Sequence, residues 1–82
     1  MSREDITLRV YKILSNQLSV PVNEITEEAL IGADLGADSL DTAEIAMMIK
    51  DDFNYDLDDQ AIASIRTVKD IVDILYSNLV NQ

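Results

Sequence analysis

Asp34-Leu35-Gly36-Ala37-Asp38-Ser39-Leu40-Asp41 is the stretch of this chain whose residue types and spacing best suit chemistry. An acidic, glycine-containing turn runs there straight into an apolar-periodic segment from Leu40 to Phe53. Asp38 sits at the N-cap position, where a carboxylate accepts an orphan backbone N–H. Asp41, three residues later, completes an aspartate version of the capping box. Ser39 is then the first residue inside the helix. A hydroxyl there can point to solvent beside unpaired N–H groups and the positive end of the helix dipole. A phosphate carried on that hydroxyl would be stabilised by the same donors, so the position suits a serine bearing a phosphodiester. An Asp-Ser pair is equally the start of an ordinary helix, and the rest of the chain has to decide between the two.

Composition removes most other chemistry. Cysteine and histidine are both absent, which excludes a thiolate site, a disulfide, and the commonest general base and metal ligand. Asp38, Asp41 and Glu44 lie at an exposed helix start with no neighbour to drive their pKa values apart, so they do not read as a general acid and base. Oxygen ligands for calcium or magnesium are conceivable among Asp34, Asp38 and Asp41, or among Asp51, Asp52, Asp56 and Asp58. The twelve-residue calcium loop is missing, and the acids read as diffuse screening of cations with no metal site. With 6 basic and 16 acidic residues the formal charge is -10. That field repels nucleic acid and anionic membranes, favours partners with basic patches, and argues for a monomer. A 48% hydrophobic content in periodic order argues against disorder. No apolar run approaches a membrane span, and the Met1-Ser2-Arg3-Glu4-Asp5 start has no hydrophobic signal segment, so the expected location is cytoplasmic.

The elements that must position Ser39 follow from periodicity. Eighty-two residues suggest one domain, 1–82, with a small aliphatic core. Ile6, Val10, Ile13, Leu14 and Leu18 recur at helical spacing, predicting a helix over about 4–18 that Pro21 ends. A long connection follows, with Val22, Ile25, Leu30, Ile31 and Leu35 as apolar anchors and a single turn at Thr26-Glu27-Glu28-Ala29. The second helix, 39–53, is predicted to face the core through Ala43, Ala46, Ile49 and Phe53. Leu40 and Met47 fall with the acids on another side. Met47 reads either as an adaptable partner contact or as the edge of the core. A short element over 59–65 turns Ile62 and Ile65 inward. Thr67 and Asp70 then open a last helix, 67–80, with Val68, Ile71, Val72, Leu75 and Leu79 as its apolar face and Ile74, Tyr76 and Val80 outside that stripe. No alternation at period two is long enough for a strand. The expectation is all-α: three longer helices, one short helix and a long crossing loop.

Taken together, the acidic helical frame, the long first loop and Leu35-Gly36-Ala37-Asp38-Ser39-Leu40-Asp41 resemble the acyl carrier proteins. The likeness runs through nearly the whole chain: Gln17-Leu18, Ala29, Asp41-Thr42-Ala43-Glu44, Phe53 and Thr67-Val68 all carry it. The resemblance implies a small right-turning four-helix bundle that is a carrier and not an enzyme. It implies that Ser39 receives a covalent 4'-phosphopantetheine arm from coenzyme A through a phosphopantetheinyl transferase. The arm's thiol would hold acyl groups as thioesters for fatty acid synthesis enzymes. It further implies docking through Asp38, Leu40, Asp41, Glu44 and Met47, and an acyl chain lodged among Ala43, Ala46, Ile49, Ile65 and Ile71. Those last five are otherwise plain core.

Several positions depart from the family pattern. Lys50 stands where an acid is usual, so a contact with a basic enzyme patch would be lost or reversed. Ile31 occupies a frequent phenylalanine position, and Gly32-Ala33 replace an apolar-plus-acid pair, with the glycine expected to loosen the loop. Asp58, Gln60, Ile62 and Ala63 alter the third helix. These leave open a general fatty acid carrier, a specialised acyl carrier, or one for polyketide or aminoacyl groups. A different class, a structural subunit of the same fold that is never acylated, would bind through Met47, Leu40 and the acidic rim. A small acidic cation buffer is a third.

Overall fold

The computed structural model describes residues 1–80. Four α-helices follow in order: α1 (Arg3–Leu18), α2 (Ser39–Phe53), α3 (Asp59–Ser64) and α4 (Val68–Val80), with a 3-10 turn at Val22–Glu24 inside the first connection. Among the described residues there is no strand, only an isolated antiparallel bridge between Leu30 and Thr67. The molecule is a small all-α four-helix bundle.

Local chemistry starts and stops each helix. Ser2 caps α1 in a capping box with Asp5: the Asp5 N–H donates to Ser2 Oγ at 3.1 Å and the Ser2 N–H to Asp5 at 3.4 Å. Ser19 (φ 57°) and Asn54 (φ 55°) close α1 and α2 in the left-handed region, which asparagine tolerates better than most residues. Asp58 caps α3 by accepting the Ala61 N–H at 2.7 Å. The short helix ends at Ser64, so Ile65 lies just outside it in extended backbone.

The core is aliphatic. Ile6, Leu14, Ile49, Ile71 and Leu75 are fully buried, each stabilising the fold by about 1.5–3 kcal/mol relative to exposure. α1 packs against both α2 and α4. From α2 the buried stripe is Ile45, Ile49 and Phe53, four residues apart, with Ala46 and Met48 partly buried beside it. This corrects the expected core face in one respect: Ala43 is exposed, and Ile45 takes its place. The corrected stripe rotates Ala43 onto the side of Leu40 and Met47, one turn from each. Of the loop anchors, Ile25, Ile31 and Leu35 are buried, whereas Val22 and Leu30 are exposed. Leu57 is a further buried anchor. In α4, Val68, Ile71, Val72 and Leu75 are buried, Ile74 and Leu79 are partly buried and Tyr76 is exposed. The Val80 side chain lies outside the described residues.

The long connection is fastened to the start of α4. Thr67 Oγ1 accepts the Asp70 N–H at 3.2 Å, while one Asp70 oxygen accepts the N–H groups of Arg66 at 2.9 Å and Thr67 at 3.0 Å. Two further N–H groups of the first turn, on Val68 and Lys69, donate to the loop carbonyls of Ala29 (3.1 Å) and Glu27 (2.9 Å). The orphan donors of that helix end are therefore met by chain from elsewhere in the sequence. Ile31 N–H donates to the Arg66 carbonyl at 2.9 Å. Arg3 reinforces the same junction, reaching Glu27 at 3.0 Å and Asp73 at 2.7 Å and stacking over Tyr76. The two carboxylates hold the Arg3 guanidinium above its ordinary pKa, Asp73 contributing most.

Candidate functional site

Ser39 occupies the first position of α2 and is exposed. Its hydroxyl makes no hydrogen bond among the described residues. The turn that delivers it is compact. Asp34 and Leu35 donate to the Leu30 carbonyl, Gly36 to Gly32 and Ala37 to Ile31, all within 2.9–3.1 Å. Gly32 therefore does not leave this loop untethered, because its own carbonyl closes one of the turns. Gly36, at φ +80°, is the residue that needs to be glycine.

The capping box at Asp38 and Asp41 is fully formed. Asp41 N–H donates to Asp38 Oδ1 at 2.9 Å, and Asp38 N–H donates to Asp41 Oδ2 at 3.1 Å. The Asp38 carbonyl accepts both the N–H and the hydroxyl of Thr42 at 3.0 Å. With those donors taken, Ser39 and Leu40 are left with the unpaired N–H groups of the first turn, beside the free hydroxyl. Such a site is chemically fit for an anion esterified to Ser39.

Asp41 stands apart from the other residues expected to dock a partner. It is only partly exposed, and its second oxygen accepts Gln17 Nε2 from the last turn of α1 at 3.1 Å. The Gln17 amide, aided by the Asp38 backbone N–H, holds the Asp41 carboxyl below the usual carboxylate range. The chain itself thus engages both oxygens, and Asp41 ties α1 to the start of α2. Asp38, Leu40, Glu44 and Met47 are exposed, with Leu40 at 74% and Met47 at 66%. Leu40, Ala43, Glu44 and Met47 follow at helical spacing along one face. Met47 belongs to that surface and not to the edge of the core. Lys50 continues the helix one turn on and lies 3.4 Å from Asp56, an exposed pair that adds little stability.

A cavity of about 440 Å³ opens between α2, α3, the long loop and the α3–α4 turn. Four of the five residues expected to line an acyl chain border it: Ala46, Ile49, Ile65 and Ile71. Ala43 does not, because it faces outward. Sequence reasoning missed the loop wall, made by Leu30 to Ala33 and Ala37, and also Thr42, Ile45, Leu57, Ile62 and Arg66. Leu57 left a signal, a lone apolar residue among Asp56, Asp58 and Asp59. The loop wall left none, since it depends on pairing with residues some thirty-five positions away in the chain, as with Ile31 and Arg66.

Among the described residues no three carboxylates converge to hold a metal ion. One oxygen of Asp34 already accepts the Leu30 N–H at 2.8 Å. No helix of the described chain is long and apolar enough to cross a membrane.

Comparison with known proteins gives a family match and similar chains in sequence and fold. Residues 9–75 match a family model described as the phosphopantetheine attachment site. The acyl carrier protein of Syntrophobacter fumaroxidans is 45% identical over 71 residues, which are 87% of this chain and 88% of that protein. The solved structure of acyl carrier protein from Enterococcus faecalis is similar in fold, with a TM-score of 0.80 at 33% identity. It covers 95% of this chain and 99% of its own.

Proposed function

Because the chain belongs to the acyl carrier protein family, whose members are carriers and not enzymes, we propose that Ser39 is where this member bears its 4'-phosphopantetheine arm. The observation that carries the reading is the exposed, unpartnered Ser39 hydroxyl at the capped start of α2. When bound, the arm supplies the thiol that this cysteine-free chain lacks and holds the acyl group as a thioester.

The chain's own residues do three things in this reading. Asp38 fixes the helix start, so that Ser39 projects outward while the nearby N–H groups face the esterified phosphate. Asp38, Leu40, Glu44 and Met47 form the docking face for a phosphopantetheinyl transferase and for fatty acid synthesis enzymes with basic patches, drawn in by the charge of -10. Ala46, Ile49, Ile65 and Ile71 offer an apolar chain a place out of water. Tethered delivery raises the effective concentration of the thioester at each enzyme. Asp41 is better described as the residue that positions this start than as a docking contact.

Intact mass after incubation with coenzyme A and a broad-specificity phosphopantetheinyl transferase tests the proposal. The expected result is one phosphopantetheine increment, lost in Ser39→Ala while circular dichroism remains that of a folded helical protein. A folded wild-type protein that gains no mass would sink the assignment and leave a structural subunit of the same fold.

A further inference from the structure

Arg66 is the cavity residue that an aliphatic cargo does not explain. The lining is otherwise aliphatic side chains, small residues and one threonine, yet it includes Arg66, an exposed arginine in the turn between α3 and α4. Its backbone is pinned on both sides: the N–H donates to Asp70 at 2.9 Å, and the carbonyl accepts from Ile31 at 2.9 Å. The chain carries 16 acidic residues, but among the described residues none forms an ion pair with the Arg66 side chain. Asp70, the acid beside it, uses its oxygen on two backbone N–H groups instead. The loop paired to Arg66 continues into Gly32 and Ala33, which also line the cavity and bring no charge to that wall. Ala37 and Thr42, which flank Ser39 in sequence, line the same space.

We propose that Arg66 selects acyl cargo ending in a carboxylate, whose methylene chain occupies the cavity while its far end pairs with the guanidinium. A protein of charge -10 expels a free carboxylate from its surroundings, so a local unpaired cation is needed to hold one there. A guanidinium suits the task because it can donate two parallel N–H bonds to both carboxylate oxygens. Arg66 acts on cargo choice and takes no part in attachment. The inference rests on the carrier reading of Ser39.

The test loads the whole protein with octanoyl or suberoyl phosphopantetheine from the corresponding coenzyme A thioesters, in the wild type and in Arg66→Gln. Intact mass is checked first, and thioester cleavage by hydroxylamine then reports how far the chain is withdrawn from solvent. An exposed charge pair supports a difference of about two- to fivefold, with the wild-type suberoyl thioester cleaved more slowly than the octanoyl one. In Arg66→Gln the suberoyl thioester should be cleaved at least as fast as the octanoyl one. Equal protection of both cargoes in the wild type would overturn the proposal. So would an Arg66→Gln effect of the same size on both, which would place the guanidinium on the arm's phosphate. Loading that succeeds with either result leaves the Ser39 assignment standing, whereas no mass increment at all sinks both.

Discussion

Alanine at Gly36 and alanine at Gly32 should change stability in opposite directions, although the two glycines lie four residues apart in one loop. At Gly36 a Cβ would meet nothing within 4 Å, so any cost is purely conformational. Holding an L-residue at φ +80° costs about 1–2 kcal/mol, offset by roughly 0.4–1 kcal/mol from a less flexible unfolded chain. The net expectation is a loss of about 1 kcal/mol. Gly32 is not in the positive-φ region, and its Cβ would sit 3.7 Å from the Ala37 carbonyl oxygen, an ordinary contact. There the unfolded-state effect acts alone, a gain of roughly 0.4–1 kcal/mol. For a small protein losing about 1 kcal/mol per molar urea, the two midpoints should separate by about 1.5–2 M. Urea unfolding followed by circular dichroism measures this directly. Gly36→Asn should fall between the wild type and Gly36→Ala, because asparagine enters the left-handed region more readily. Equal destabilisation by both alanines would refute the reasoning, and so would a neutral Gly36→Ala.

Removing the Gln17 amide should let the Asp41 carboxyl titrate closer to its ordinary range. Carboxyl-detected NMR titration of Gln17→Ala checks this, and an unchanged Asp41 midpoint would mean that the contact to α1 does not hold that charge. Asp70→Asn should cost about 1 kcal/mol at neutral pH through weakened bonds to the Arg66 and Thr67 N–H groups. Those N–H groups lower the Asp70 pKa in the folded protein, so the charged form's contribution is present above the unfolded value of 3.8 and fades as pH falls through the lower folded value. The gap between wild type and variant in urea unfolding should therefore narrow below about pH 4; a gap constant through acid would contradict it.

The sequence carried the bundle and the start of α2 because both are written locally. Four-residue spacing marks Ile6, Val10 and Leu14, and an Asp three residues before another Asp marks the helix that begins at Ser39. The inner face of α2 was harder to assign. Between Leu40 and Phe53 apolar residues fall on more than one stripe, and only packing against α1 decides that Ile45 goes in and Ala43 stays out. Gln17 shows a similar limit. Nothing near it in sequence indicates a hydrogen bond to a residue 24 positions away. Arg66 is exposed, and nothing local in the sequence indicates that the pairing with Ile31 sets it beside the cavity.

The loop residues that wall the cavity, Leu30 to Ala33, follow directly on Glu27 and Ala29, whose carbonyls complete the first turn of α4. Pushing that wall outward would strip the N–H groups of Val68, Lys69 and Ile31 of their acceptors at once, so the loop is expected to yield last. α3 has no such moorings: it is six residues long and none of them is fully buried. If a guest too bulky for the cavity is bound, α3 is therefore expected to give way before the loop does. On that expectation the cavity is less an elastic pouch than a box with one fixed side and one hinged door.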